Sequence, residues 1–493
     1  MPTRRDVSDL APNGPAITAL RDGIANMKSR ADSNPTSWRF QANIHGTFDT
    51  PTQPTWNRCQ HGTFFFLSWH RMYIYFFERI LRAASGDQNL ALPYWRWTTN
   101  RRLPLAFREP TDTSANPLYT PRRAPGMNDG SQQLPLSAVQ IGTAMNFTNF
   151  SSPTGSGLSF GGQRITQPVH FTGPHGSLEG SPHDVIHGLV GGSGSANQHW
   201  MSFPETAARD PIFWLHHAMI DRLWKRWLDR NEGRQNPVGN SAWMDTQFAF
   251  FNENGQQVNM RGQDILDTVN QLDYRYDDDP SLSGIRVPFA PAEVEVVSAS
   301  AQGNSDADDE SDRTLLGESV GEDMIELGAG PKTVPVELRD EARDAVATVA
   351  QAEAVPLEER VVVNVEGVQF GEQNPGVTYE VYLNLPEDQQ PNFQSDYYIG
   401  NIGFFGMGTY EAREGGHGGH PADLSFDATD TVRVLRERGE WNEGEASVSF
   451  VMRGLVPSAE DEESTEALAE QAEPQEEPPG RPRVERVTIT TGG

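Results

Sequence analysis

Six histidines fall into two triplets: His45, His61 and His70 early, and His183, His187 and His217 later. Each triplet offers three imidazole nitrogens, enough to hold one metal ion with no other protein donor. In the later group H-D-V-I-H places His183 and His187 one helical turn apart, so both rings leave the same helix face. In the earlier group His61 and His70 are nine residues apart. On one continuous helix they would face opposite sides. His61 must therefore come from the loop before the helix that carries His70, where Gly62 permits a turn, and His45 from the end of the preceding helix. H-x-x-x-H alone is a weak signal. It gains weight because Phe64 to Trp69 and Ile212 to Leu215 would bury these rings, and ligation resolves the cost of a buried imidazole without a partner. Neutral imidazole suits copper, zinc, iron and nickel. Dinuclear hydrolases and di-iron centres include carboxylate ligands, which these triplets lack, so the set points to paired copper ions and oxygen chemistry. His216 and His217 are adjacent, about 100° apart around a helix. Only one can join the set, and apolar neighbours on both faces leave the choice open.

Helices must position these rings. Ile17, Leu20, Ile24 and Met27 recur at helical spacing after Pro15. A second helix is expected from Thr36 to His45, stopping at Gly46, and a third from about Phe64 to Ala84, apolar on nearly all sides and so central to its domain. A fourth should begin near Pro182 and a fifth near Pro211, running to about Arg230. Asn100 to Gln167, rich in Pro, Gly, Thr and Asn, reads as irregular surface. The expected architecture is a mainly α domain over residues 1–295, a four-helix bundle holding a dinuclear copper site. Residues 296–334 read as an acidic flexible linker. Beyond it the period changes to two in E-R-V-V-V-N-V-E-G-V, V-T-Y-E-V-Y-L-N-L, D-Y-Y-I-G-N-I-G-F-F, A-S-V-S-F-V-M-R-G-L and E-R-V-T-I-T-T. Residues 335–493 therefore read as an antiparallel β-sandwich or barrel, with a disordered acidic loop at about 457–482.

A formal net charge of −29 over 493 residues argues against nucleic acid or an anionic membrane surface as partner. No apolar run reaches the length of a membrane span. The start, M-P-T-R-R-D-V, carries a twin arginine without a hydrophobic segment after it, so no signal peptide is visible and a cytoplasmic location is the default unless a signal was removed. The single cysteine, Cys59, excludes an intramolecular disulfide.

The segments C-Q-H-G-T-F-F-F-L-S-W-H-R-M-Y-I-Y-F-F-E-R-I-L, G-S-L-E-G-S-P-H-D-V-I-H-G and R-D-P-I-F-W-L-H-H-A-M-I-D-R-L-W closely resemble the type 3 copper proteins: tyrosinases, catechol oxidases and the related haemocyanins. The resemblance covers roughly residues 2 to 290. It implies that His45, His61 and His70 ligate copper A and that His183, His187 and His217 ligate copper B, with His216 a neighbour. Cys59 and His61 match the Cys-x-His arrangement in which family members join the sulfur to an imidazole carbon as a thioether. Glu179, four residues before His183, matches a carboxylate that orients a water near copper B and would act as general base toward a phenol. Asp184 stands where good monophenol hydroxylators often carry Asn, a departure that bears on that activity. Phe203 lies one residue out of register with a bulky gate over copper B, Phe213 would pack on His217, and Asp221 would orient a ligand histidine. The segment from about 335 onward is similar to the carboxy-terminal domain of plant-type polyphenol oxidases, which covers the active-site mouth in latent members. Phe404, Phe405 and Met407 are the candidate plug residues. The implied reaction is oxidation of phenols and o-diphenols by dioxygen to o-quinones on two copper ions. The alternatives are a haemocyanin-like oxygen-binding protein and an oxidase of an o-aminophenol or a specialised phenolic metabolite.

Overall fold

The computed structural model describes residues 1–171, 173–279, 313–321, 324–351, 355–371, 373–407, 421–458 and 477–492. Five helices frame the first domain: α1 (Pro15–Ser29), α2 (Trp38–His45), α3 (Phe65–Ser85), α4 (Val185–Gly191) and α5 (Pro211–Asp229). Their ends follow local chemistry. Ser37 caps α2 by accepting from the Phe40 N–H at 3.1 Å. Asp210 caps α5 by accepting from the Ile212 N–H at 3.0 Å, with Pro211 in the first turn. Gly86, at φ 74°, ends α3 in the left-handed conformation that glycine adopts without strain. Helix α3 is buried on most of its circumference, including Phe65, Phe66, Trp69, Tyr73, Ile74 and Phe77. Each such side chain contributes about 1.5–3 kcal/mol of apolar burial, which makes α3 the centre of the domain. Gly23 of α1 lets that helix approach α3 closely, since a Cβ there would lie 2.8 Å from the Leu81 side chain.

One expectation for this domain is revised. The stretch from Asn100 to Gln167 is largely irregular, but it is not surface: Phe107, Leu118, Met127, Leu134, Phe147 and Phe160 are all buried. Buried arginines take the place of regular structure in satisfying its carbonyls. Arg123 donates to the Phe107 and Leu118 carbonyls while paired with both oxygens of Asp210. The fourth helix was expected near Pro182, and α4 starts at Val185 with His183 and Glu179 in the lead-in before it. The lead-in Glu179–Asp184 breaks at Ser181, which is extended at φ −151° and ψ 120°, the conformation a following proline favours.

The second domain is an eight-stranded antiparallel sheet made of β1 (Leu315–Ser319), β2 (Lys332–Leu338), β3 (Val361–Val368), β4 (Thr378–Leu383), β5 (Tyr398–Ile402), β6 (Ala422–Asp427), β7 (Glu445–Arg453) and β8 (Arg486–Thr491). The strand order is β5-β4-β7-β2-β1-β8-β3-β6. The two edge strands approach where Gly400 of β5 meets the Phe426 ring of β6, so the sheet nearly closes into a barrel. Strands β1 and β2 begin within the stretch read as linker, because valine and leucine there pair with the sheet. Residues 296–312 and 322–323 of that linker and most of the expected acidic loop, 459–476, lie outside the described residues. Two helices, α6 (Asp340–Gln351) and α7 (Thr429–Glu437), pack against each other within this β-rich domain.

The domains meet along several backbone contacts. Val456–Pro457 pairs with Gln132–Gln133. Asn374 and Gly194 exchange N–H···O bonds of 3.0 and 3.1 Å, and the Asn401 side chain donates to the Ser137 carbonyl at 2.8 Å.

Candidate metal centre

All six triplet histidines converge in one buried chamber, each 2 % exposed or less. His45 ends α2, His61 lies in the loop before α3, His70 is on α3, His183 in the lead-in to α4, His187 on α4 and His217 on α5. The ligand-capable nitrogens of each triplet lie within 4.8 Å of one another. His70 and His217 stack across the boundary, with centroids 4.4 Å apart and planes 12° from parallel, so the triplets face each other.

Hydrogen bonding decides which ring nitrogen points inward. The Nδ1–H groups of His45, His70 and His187 donate to the carbonyls of Pro204 (2.8 Å), Phe66 (2.8 Å) and Met201 (2.9 Å). Those of His61 and His183 donate to carboxylates, Glu179 Oε1 (2.9 Å) and Asp184 Oδ1 (2.8 Å). A carbonyl or carboxylate accepts only, so these five rings carry the proton on Nδ1 and present a bare Nε2 lone pair. The Nε2 atoms of His45, His61 and His70 have no hydrogen-bond partner although buried. In the second triplet His217 Nε2 lies 3.4 and 3.3 Å from the Nε2 atoms of His183 and His187. Burial holds the His45 ring down to about 3 and the other five well below their ordinary value. Neutral rings with orphaned, convergent lone pairs are the donor set for two imidazole-bound copper ions, and the residues present fit that pair.

His216 does not share in either cluster. Its ring stacks on His183 (5.3 Å, 21°) and leans on Trp97 (6.2 Å), which makes it a wall and leaves His217 as the ligand. Phe213 packs on His217 at 4.2 Å and on His45 at 4.9 Å. Phe203 instead starts a short helix, and among the described residues its ring meets none of the six histidines. Asp221 orients no ligand histidine. It pairs with Arg71 and Arg4 and accepts from the Tyr274 and Tyr276 hydroxyls at 2.6 Å. Four residues beyond His217 on α5 its side chain faces α3, where two guanidinium groups compete for it. Burial works to raise the Asp221 carboxyl, yet Arg71 and Arg4 outweigh it and hold the group below the usual range.

Glu179 reaches the copper A side. Besides His61 it accepts from the Gly62 N–H, at 3.0 Å to each oxygen. Burial pushes its carboxyl up to about 8, against the pull of His175. Cys59 is fully buried, with Sγ 3.4 Å from His170 Nδ1; burial pushes its thiol up.

The second domain reaches into the chamber. Phe405 stacks on His187, with centroids 3.8 Å apart and planes 19° from parallel, and its ring lies 5.6 Å from His61 and from His183. Phe404 turns the other way, onto Phe370 and Tyr379 in the core of its own domain, where Met407 is also buried. Of the three candidates only Phe405 enters the chamber. Gly403 allows this insertion, since a Cβ there would lie 2.6 Å from the Val185 nitrogen and 2.8 Å from the Asp184 carbonyl carbon.

Two residues of the site have no counterpart in the motif reading. Phe171 stacks flat on His61 (4.6 Å, 9°), and no local spacing foretells the bridge that joins them. His175 donates from Nδ1 to Asp184 Oδ2 at 2.6 Å and lies 3.9 Å from Glu179 Oε1. Burial lowers its pKa, but the two carboxylates outweigh that and raise it to about 9. Its position four residues before Glu179, one residue upstream of G-S-L-E-G, was the available signal.

The common central domain of tyrosinase matches residues 35–156 and 128–230, the polyphenol oxidase middle domain matches 238–283, and a domain of unknown function matches 313–463. The tyrosinase HcTyr1 of Hahella sp. is 31% identical over 483 residues, covering 92% of this chain and 95% of that protein. A chloroplastic polyphenol oxidase of Malus domestica is 28% identical over 389 residues, and the match spans 62% of its length. The solved structure of latent apple tyrosinase superimposes with a TM-score of 0.64, over 100% of this chain and 97% of that one at 21% identity, a likeness of fold. Two imidazole triads of this geometry in a chain with these relatives mean that the protein belongs to the tyrosinase family and is a dicopper polyphenol oxidase.

Proposed function

We propose that the second domain holds this polyphenol oxidase latent, and that oxidation of o-diphenols to o-quinones is its principal reaction, with monophenol hydroxylation slower. The reading rests on Phe405, whose ring occupies the face of His187 that a phenol ring would need. When bound, the two copper ions supply the electron chemistry between dioxygen and phenol. The chain's own residues supply the rest. Fixed tautomers aim the Nε2 lone pairs, and Phe66, Phe171 and Phe213 line the chamber against water. Glu179 holds the loop ligand His61 together with the Gly62 N–H. A phenol enters by displacing Phe405 and stacks in its place. Asp184 is the reason for ranking hydroxylation second. An amide beside His183 would offer a donor to hold a proton-accepting water, whereas this carboxylate offers acceptors only, and both oxygens already serve histidines.

Oxygen uptake by the copper-loaded full chain, with a catechol and with the matching monophenol, tests both parts against Phe405→Ala. Removing the plug is expected to raise catechol turnover about tenfold for each ~1.4 kcal/mol of lid closure released, at unchanged copper content. Equal turnover by the two proteins overturns latency. Monophenol rates equal to catechol rates overturn the order of the two reactions.

A further inference from the structure

The two oxygens of Asp184 are each taken by a different imidazole, Oδ1 by His183 at 2.8 Å and Oδ2 by His175 at 2.6 Å. His175 belongs to neither histidine triplet. A carboxylate that accepts from a ligand's Nδ1–H sets the tautomer and plane of that ring. The carboxyl torsion of aspartate is broad, however, so a single bond from His183 does not fix it. Its second oxygen also needs a donor, because Asp184 is 1 % exposed and a buried anionic oxygen without one is costly. His175 meets both needs. The loop that carries it is closely packed: a Cβ on Gly176 would lie 2.3 Å from the Gly162 nitrogen, so the two backbone segments are in contact. The ring itself lines a small cleft of about 60 Å³ at the domain boundary, beside Gly180, Ser181, Tyr398 and Asn401, and is not part of the helical core.

We propose that His175 is a positioning residue for the copper B half of the site: it pins Asp184, which in turn holds the His183 ring with Nε2 aimed at the ion. Resting on the dicopper reading, this assigns the hold on His183 to a three-member chain, His175–Asp184–His183, that starts in the interdomain cleft. His175 Nδ1 is the atom that matters, and two amides separate it from its ring partner. The amide nitrogen of asparagine sits one bond from Cγ, as Nδ1 does; that of glutamine sits one carbon further out, near the place of Nε2. His175→Asn therefore keeps the donor and His175→Gln displaces it at similar volume and polarity.

Copper is titrated into the chelator-stripped full chain against a competing chromophoric chelator, and the metal-free melting temperature is measured beside it. The wild type takes two ions. His175→Gln is expected to bind one as the wild type does and the other about 10–100-fold more weakly and, with Asp184 Oδ2 left short of a donor, to melt earlier without metal, whereas His175→Asn retains both ions and the wild-type melting temperature. Wild-type affinity for both ions in His175→Gln overturns the proposal. So does equal weakening of both ions, or the same loss in the two variants, which is the behaviour of a packing residue. If His175→Gln does not fold, His175→Asn decides alone: loss of an ion overturns the proposal and retention of both supports it. A wild type that takes fewer than two ions overturns the dicopper reading as well, whereas two ions in the wild type with indifferent variants overturns only the role of His175.

Discussion

Adjacent histidines with opposite duties show how finely single residues divide the work here. His217 Nε2 joins the second triplet, while the His216 ring only stacks beside it. His217→Gln is expected to leave one tightly held ion of two and catechol oxidation near background, whereas His216→Phe keeps both ions; copper analysis after dialysis against a weak chelator separates them. Cys59 makes a second residue-scale prediction. Its match to the thioether arrangement leads us to expect a covalent link to His61 after copper loading in air, with dioxygen the oxidant that takes the two hydrogens lost. Intact mass spectrometry would find the chain lighter by two hydrogen atoms. An unchanged mass with an alkylatable thiol in the unfolded protein would mean that Cys59 stays a buried thiol, next to His170.

At the scale of elements, α3 and α5 are joined by charge as well as by apolar packing. Arg71, next to the ligand His70, and Arg4 from the N-terminal strand meet on Asp221 of α5. Asp221→Asn takes the charge partner from the buried Arg71 guanidinium, while Arg4 keeps Glu78 at 2.8 Å; the loss costs about 3–5 kcal/mol, and the melting temperature measures it. The pH dependence follows from the depressed carboxyl. A group whose folded pKa lies below its unfolded value adds stability that is full above the ordinary carboxylate range near pH ~4, and that is lost as pH falls through the lower folded value. The gap in melting temperature between wild type and Asp221→Asn should therefore be widest near neutral pH and close under strong acid. A gap that widens on acidification would contradict this assignment.

For the whole molecule the deciding feature is how tightly the β domain seats on the helical one. Gly376, at φ 66°, passes so close to Ser193 that a Cβ would lie 2.1 Å from its nitrogen. Gly376→Ala adds both a clash and about 1–3 kcal/mol of backbone strain at the contact between the domains. It is expected to raise catechol turnover of the full chain on the order of tenfold, since each ~1.4 kcal/mol shifts docking by that factor. Limited proteolysis would show faster cleavage between the domains. A variant that melts earlier with unchanged turnover would uncouple seating from access.

Much of this was legible in the chain because periodicity is local. Helix α2 starts after the Ser37 cap and α5 at Pro211 for reasons carried by one or two neighbouring residues. The strands Val361–Val368, Thr378–Leu383 and Glu445–Arg453 are marked by their valine, tyrosine and phenylalanine content, and most of their residues are buried. The two triplets were readable too, since helical spacing and the loop before α3 constrain where a ring can point. What the tertiary structure alone decided depends on groups distant in sequence meeting in space. Asp221 was expected beside a histidine, but two arginines from other elements draw it away. Phe404 and Phe405 are neighbours on one loop, and only the seating of one domain on the other sends one into its own core and the other onto His187. Sequence alone determined which side chains could hold copper; tertiary packing decided which atoms face it, what holds them there and what covers them. His70 and His183 are oriented by near neighbours, Phe66 and Asp184, but His45, His61 and His187 are held by residues 159, 118 and 14 positions away, and no local pattern encodes those.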